Sequence, residues 1–143
     1  MFSIGFTKTS ARHFFERLRR AGVKEILDVR IHNKSQLAGF AKSDDLAYFL
    51  DEIDSIGYRH VPMLAPEAEL LAEYRSKAID WEQYERAFLL LMAERRIEVQ
   101  LTPESLAGTC LLCSEDKPHH CHRRLVIEYL NRRWNNVLEV RHL

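Results

Sequence analysis

The sequence carries no excess of charge of either sign. It contains 21 lysines and arginines and 21 aspartates and glutamates, so its formal net charge is zero. Broad nucleic-acid affinity normally shows as a basic excess, and here only a local patch can supply it. No apolar run approaches the roughly 20 residues of a membrane helix, and the start MFSIGFTKTS lacks the pattern of a secretory signal. We therefore expect a cytoplasmic protein without membrane contact.

The common catalytic and cofactor signatures are also missing. A single glycine, Gly5, follows the first apolar segment, which falls short of a phosphate-binding loop or a dinucleotide fingerprint. No serine lies in a nucleophile elbow. The chain has only four prolines and 29% charged residues, which argues against disorder. With 46% hydrophobic residues in 143 positions, we expect one domain over residues 1–143.

Short apolar segments alternate along the chain with segments in which apolar residues recur at helical spacing. The predicted strands cover residues 2–5, 25–30, 58–61, 109–113 and 137–142. Helices are predicted after caps at Ser10, at Ser43 or Asp44, and at Asp80, with others after Pro66 and over residues 121–134. This order predicts an α/β fold, a three-layer sandwich with a mainly parallel sheet of about five strands flanked by helices.

Chemically active side chains follow several of the predicted strands. Right-handed crossovers bring the carboxyl ends of parallel strands to one edge of the sheet, and ligands bind at that edge. The residues expected there are Thr7 and Lys8, Arg30 and His32, His60, and the segment 113–121. We therefore expect the functional site at this edge.

The segment 109–124 contains all three cysteines and three of the seven histidines. In a reducing compartment a structural disulfide is not expected, so Cys113 and Cys121 are candidate catalytic thiols or a redox pair. Cys121 begins the last predicted helix beside Arg123, which predicts a pKa below the value of about 8.5 for a free cysteine. Cys110 lies in mid-strand and is expected to be inert. The alternative is that the cysteines are small buried hydrophobic residues.

The same segment has the composition of a zinc site, because histidines accompany the cysteines. However, residues three apart in a strand point to opposite faces of the sheet, which separates Cys110 from Cys113. Zinc motifs also usually pair two tight ligand turns. We therefore expect no structural metal.

Three further residues suggest an anion-binding crevice. Arg30 ends an apolar strand and suits phosphate or carboxylate, or alternatively forms a salt bridge with Asp28 or Glu115. Glu115 is a candidate general base, with a structural ion pair as the alternative. Arg123 places a guanidinium at a helix start, where anions bind readily. We expect Arg30, Glu115 and Arg123 to share one crevice.

Thr7, His60 and His122 complete the candidate ligand-binding residues. The alternative for His60 is a histidine with its hydrogen bonds satisfied at the sheet edge. His122 is a candidate base for Cys121, although neighbours on a helix do not face each other, so another segment is expected to supply that base. The aromatic residues of the middle region are interpreted as helix packing: Tyr74, Trp81, Tyr84 and Phe88.

Several motifs resemble those of the family known as domain of unknown function 488. They are IGFT at 4–7, DVR at 28–30, SQLAGFAK at 35–42, YRHVP at 58–62, and CSE at 113–115 with CHR at 121–123. The last pair is the most specific. Phe6 stands where many members carry histidine, and Ala65-Pro66 stand where many carry Gly-Gly. The resemblance implies an α/β fold and a site near the cysteines, and it implies no reaction.

Three functions fit these observations. The first is an enzyme acting on an anionic small molecule or nucleic-acid end, bound by Arg30 and Arg123, with Glu115 handling protons and Cys113 or Cys121 as nucleophile. The second is an anion-, nucleic-acid- or metal-binding module without turnover, and the third is a thiol redox sensor. The pattern specifies neither a cofactor nor an oligomeric state.

Overall fold

A computed structural model of the chain describes residues 1–34 and 38–143. Its strands are β1 (Phe2–Gly5), β2 (Glu25–Asp28), β3 (Gly57–His60), β4 (Thr109–Cys113) and β5 (Arg141–His142). They form one sheet in the order β3-β2-β4-β1-β5, and every pairing is parallel. The predicted α/β fold is confirmed. Ser35 and Gln36, which belong to a predicted loop, lie outside the described residues.

Two strands are shorter than predicted because side chains form hydrogen bonds with backbone groups that a longer strand would pair with its neighbour. The Asp28 carboxylate accepts a hydrogen bond from the backbone N–H of Arg30 at 3.1 Å, which ends β2 at Asp28. The Asn131 side chain bonds both the N–H and the carbonyl of Leu138. That clasp keeps the chain out of the sheet until Arg141 pairs beside Phe2.

The helices are α1 (Ala11–Ala21), α2 (Ser43–Asp54), α3 (Ala68–Arg75), α4 (Trp81–Glu94), α5 (Ile97–Gln100) and α6 (His122–Arg133). Ser10 caps α1, as predicted, by accepting a hydrogen bond from the His13 N–H. Asp80 and Gln83 form a capping box at the start of α4. None of the helices in residues 1–34 and 38–143 is both long and apolar enough to cross a membrane.

Two hydrophobic clusters cover the two faces of the sheet, which gives three layers. Helices α1 and α2 pack on one face through Phe14, Leu18 and Leu50, where Cys110 and Leu112 of β4 also lie. Helices α4, α5 and α6 pack on the other face, where Leu111 and Cys113 lie. The alternation argument for β4 is therefore confirmed: Cys110 and Cys113 occupy opposite faces.

The connections that leave β2 and β4 diverge. These strands are neighbours in the sheet, yet β2 leads to α2 on one face and β4 leads to α6 on the other. In open α/β sheets a crevice forms where adjacent connections separate in this way. The fold thus places a crevice beyond Asp28 and Cys113.

Candidate functional site

A pocket lies beyond the carboxyl ends of β2 and β4, where the diverging connections predict one. Its cavity is about 70 Å³, which is room for roughly five water molecules. It is lined by residues from both strand ends, from α3 and α4, and from the segment before α6: Arg30, Ile31, His32, Leu71, Tyr74, Arg75, Trp81, Tyr84, Cys113, Ser114, Glu115, His120, Cys121 and His122. The space suits a group the size of a phosphate or carboxylate.

Cys113 and His122 lie side by side in this pocket. His122 Nδ1 is 3.7 Å from Cys113 Sγ, and His122 Nε2 is 2.8 Å from the carbonyl oxygen of Val29. A carbonyl oxygen only accepts hydrogen bonds, so Nε2 carries a proton and donates it there. Nδ1 is the ring nitrogen directed at the sulfur, and the bond to Val29 fixes the ring in that orientation.

Cys121 completes a cluster with these two residues. One ligand atom from each of Cys113, Cys121 and His122 lies within 4.8 Å of the other two, and all three residues are buried. Cys121 has φ −140° and caps α6 from outside rather than lying in its first turn. The rule that helical neighbours face apart therefore does not apply to Cys121 and His122. These three side chains are the ones that could hold a metal ion.

The pKa values of the two cysteines in the cluster are shifted in opposite directions. A hydrogen bond from Cys121 holds the pKa of Cys113 well below its ordinary value, against the effect of burial, and His122 and the Glu115 N–H add to this. The same bond, together with burial, raises the pKa of Cys121, so the predicted lowering for Cys121 is wrong. Burial alone would lower the pKa of His122, but the charge of Cys113 raises it.

The loop 114–116 is held in place from behind the pocket. Thr7 donates to the Ser114 carbonyl through its hydroxyl at 2.8 Å and through its backbone N–H at 3.2 Å. Arg123 donates to the carbonyls of Glu115 and Asp116. Thr7 and Arg123 do not line the pocket, so the expected shared crevice contains Arg30 and Glu115 but not Arg123. Thr7 and Arg123 instead position the loop that carries Glu115.

Arg123 is a buried structural donor. Its side chain is 1% exposed, and besides the two loop carbonyls it reaches Ser3 Oγ at 3.3 Å and Cys121 Sγ at 3.4 Å. All three of its side-chain nitrogens are therefore occupied within the protein. This guanidinium joins Ser3 of β1, the loop 114–116 and the start of α6. That structural role replaces the anion-binding role expected from its position at the helix start.

Arg30 forms the salt bridge that was the alternative to an anion site. Its Nε and Nη2 donate to the two carboxylate oxygens of Asp28 at 2.8 and 2.6 Å, and both side chains are almost wholly buried. Nη1 has no hydrogen-bond partner within the described residues. Nη1 is itself buried, and the guanidinium lies over the Phe6 ring at 5.0 Å, so Arg30 forms part of the fixed pocket wall and Asp28 balances most of its charge.

His60 lies outside the pocket, at the exposed edge of β3. Its Nε2 is 2.7 Å from the carbonyl oxygen of Arg30. The placement agrees with the alternative of a histidine satisfied at the sheet edge. It supports the backbone of Arg30 and is not positioned to contact a ligand in the cavity.

An aromatic wall of Tyr74, Trp81, Tyr84 and His120 lines the pocket beside the cysteines, whereas the sequence predicts only helix packing for the first three. Trp81 packs against Tyr84 and Tyr74, with ring centroids 5.4 and 5.6 Å apart, and against His120 at 4.8 Å. These rings do pack together, and they also line the pocket. The available signal was the i, i+3 spacing of Trp81 and Tyr84, which puts both on one helix face.

The three cysteines are expected to differ in reactivity toward an alkylating agent. Cys110 is 0% exposed inside the α1–α2 face, whereas Cys113 and Cys121 line the pocket. Iodoacetamide should therefore modify Cys113 or Cys121 well before Cys110 in folded protein. Timed labelling followed by peptide mass spectrometry measures the order. Modification of Cys110 first would contradict the placement of the pocket.

Comparison with known proteins gives a family but no function. The model of the family described as "Domain of unknown function DUF488" matches residues 10–130. No curated protein and no solved structure matches the chain. The matched region includes both strand ends that form the pocket and the whole Cys113–His122 segment.

Proposed function

Because the chain belongs to the DUF488 family of domains of unknown function, its activity must be inferred from the site, and we propose an enzyme acting on a small anionic group bound in the pocket. The observation that carries the proposal is the convergence of Cys113, His122, Glu115 and Arg30 on one cavity. A thiol, an imidazole, a carboxylate and a guanidinium converge there, at the sheet edge where α/β proteins bind ligands.

The proposed roles follow from position in the pocket. Cys113, with Cys121 and His122 beside it, is the reactive centre. Glu115 is exposed on the loop that lines the pocket, so its carboxylate can take a proton from the ligand or from water and release it to solvent. General bases of this kind contribute by being positioned within reach of the reacting group.

Arg30 and Arg75 both line the pocket, and we propose different roles for them in anion binding. Arg30 lines the pocket, but its unpaired Nη1 is buried and its charge is balanced by Asp28. Arg75 ends α3, is exposed, and forms no ion pair in the part of the chain that the structure describes. We therefore assign the electrostatic attraction of the anionic group to Arg75, and we assign to Arg30 a role in shaping the pocket wall.

The aromatic wall suggests what the anionic group is attached to. The cavity of about 70 Å³ admits only a small group, so the rest of a larger ligand stays at the mouth. Trp81 and His120 lie there with ring planes only 30° apart. A planar ring can stack on such a surface, and a phosphate carried on a nucleoside is one ligand that has both parts.

Replacing Arg75 with glutamine should weaken phosphate binding about two- to fivefold, the effect expected for one exposed charge. Inorganic phosphate is the probe, and Trp81 fluorescence is the readout. The Trp134→Phe background leaves Trp81 as the single tryptophan, because the chain has two. Arg12→Gln is the matched control, since Arg12 is exposed on α1 away from the pocket. Equal effects of the two substitutions would contradict the assignment.

The enzymatic part of the proposal needs its own test. Purified protein is assayed against phosphate, sulfate and carboxylic esters that release a chromophore. Turnover that disappears in Cys113→Ala, while phosphate still changes Trp81 fluorescence, supports an enzyme with Cys113 at its reactive centre. Phosphate binding without turnover of any ester favours the module without catalysis. Turnover that survives Cys113→Ala contradicts the assigned centre.

A further inference from the structure

We propose that Cys113, Cys121 and His122 bind a divalent transition metal of the zinc class, with a fourth coordination position open to the pocket. This inference deepens the proposed function by adding a metal ion to the reactive centre. It rests on that function only for the identity of the group that binds at the fourth coordination position. The three ligand atoms lie within 4.8 Å of one another.

The spacing of the ligand atoms fits tetrahedral zinc. With bonds of about 2.3 Å to sulfur and 2.0–2.1 Å to nitrogen, tetrahedral angles separate a sulfur and a nitrogen ligand by about 3.6 Å. Cys113 Sγ and His122 Nδ1 are 3.7 Å apart. That separation is long for a hydrogen bond, yet it matches two ligands of one ion. A cation would therefore require little change in the separation of Cys113 and His122.

The chemistry of the donors selects the class of metal. Two thiolates and one imidazole nitrogen suit zinc and its neighbours among the transition metals, and they do not suit magnesium or calcium, which take oxygen ligands. Metal-bound histidine usually donates its second ring N–H to a fixed acceptor. His122 already does so, from Nε2 to the carbonyl of Val29 at 2.8 Å. The nearby Arg123 Nη1, 3.4 Å from Cys121 Sγ, would offset thiolate charge.

The fourth position distinguishes this site from a closed structural one. Structural zinc sites have four protein ligands, whereas catalytic sites keep one position for water or substrate. Cys110 cannot be the fourth ligand because it packs on the opposite face of the sheet. All three ligands line the same pocket as Glu115 and Arg30. The placement of Cys110 and Cys113 on opposite faces therefore excludes a zinc site that uses both as ligands. It does not exclude the three-ligand site of Cys113, Cys121 and His122.

Cobalt is the probe for the test, because its tetrahedral thiolate complexes absorb visible light and show a sulfur-to-metal band in the near ultraviolet. Purified protein is stripped with a chelator under reducing conditions and titrated with Co²⁺. We expect one Co²⁺ per chain with both absorptions. Cys113→Ala and Cys121→Ala should each weaken Co²⁺ binding by more than about 100-fold, the upper end of the loss for supporting residues. Cys110→Ala is the matched control and should bind like the unmodified protein.

Circular dichroism on every variant distinguishes a loss of metal binding from a loss of folding. Two hydrophobic clusters build the fold without the metal, so chelation should leave the spectrum unchanged. If either cysteine variant fails to fold, Cys113→Ser and Cys121→Ser replace it with a smaller change of shape. Folded protein that binds no Co²⁺, Co²⁺ binding by Cys113→Ala as tight as by the unmodified protein, or loss of the sulfur-to-metal band in Cys110→Ala would overturn the proposal.

Adding phosphate separates this inference from the proposed function. Phosphate binding by metal-free protein, read from Trp81, tests the pocket alone. A change in the visible cobalt spectrum on adding phosphate shows that the open position faces the pocket, and an unchanged spectrum with phosphate bound shows that it does not. The metal site can thus fail while the anion pocket stands, and the pocket can fail while Co²⁺ still binds to the cysteines.

Discussion

Replacing Arg30 with glutamine is expected to lower the free energy of unfolding by about 3–5 kcal/mol. Asp28 is 0% exposed and Arg30 is 3% exposed, and two hydrogen bonds join the guanidinium to the carboxylate. Glutamine would leave a buried carboxylate without its counter-charge, held only by the neutral donors of the Tyr58 hydroxyl at 2.7 Å and the backbone N–H of residue 30 at 3.1 Å. The large cost comes from that stranded charge rather than from the intrinsic strength of the pair. Urea denaturation followed by circular dichroism measures it.

Arg59→Gln is the matched control for this substitution. Arg59 also pairs with a carboxylate on β2, that of Glu25, through two hydrogen bonds at 3.1 Å. Those side chains are 53% and 32% exposed, so water replaces the lost partner and the cost should stay below about 1 kcal/mol. Equal losses in the two variants would show that the Arg30–Asp28 pair is not a buried bridge.

Replacing Gly5 with alanine should disrupt the pocket and cost about 3 kcal/mol, the upper end for overpacking a tight site. A Cβ atom at Gly5 would lie 1.7 Å from the carbonyl oxygen of Glu115, far inside any tolerated contact. Backbone must move, and the part able to move is the loop 114–116. We therefore expect loss of phosphate-induced change in Trp81 fluorescence together with a lower urea midpoint.

Gly57→Ala provides the control for Gly5→Ala. Gly57 also lies in a parallel strand, but the nearest atom to an added Cβ is a side-chain carbon of Glu25 at 3.4 Å. Ordinary contact of that kind should leave phosphate binding unchanged. If Gly5→Ala binds phosphate as well as Gly57→Ala does, the close packing of the loop against β1 does not shape the pocket.

The sequence contained enough information for the sheet and for the position of the pocket. Apolar runs set β1 and β4, and alternation within β4 separated Cys110 from Cys113, because a strand has a simple two-residue period. The same alternation places Asp28 and Arg30 on one side of their strand. The sequence pattern nevertheless favours an anion site for Arg30 over a salt bridge with Asp28, and the structure contains the bridge.

Other parts of the site depend on contacts that no sequence period encodes. The structural role of Arg123 depends on the path of loop 114–116, because the carbonyls of that loop accept its hydrogen bonds. The aromatic wall depends on how α3 and α4 dock over the end of β4, so spacing within α4 could group Trp81 with Tyr84 but could not bring them to the cysteines. The pKa order of Cys113 and Cys121 likewise follows from a direct contact between two side chains eight positions apart.

The most direct test of the central claim is an amide NMR titration of isotope-labelled protein with millimolar phosphate. The account predicts that the largest shift changes occur at Arg30 to His32, at Ser114 and Glu115, and at His120 to His122, because these residues line the pocket. The solvent-facing groove between α4 and α6, lined by Leu90, Arg132 and Arg133 among others, offers an internal comparison. Largest changes in that groove, or no changes at all, would contradict the claim that the pocket binds a small anionic group.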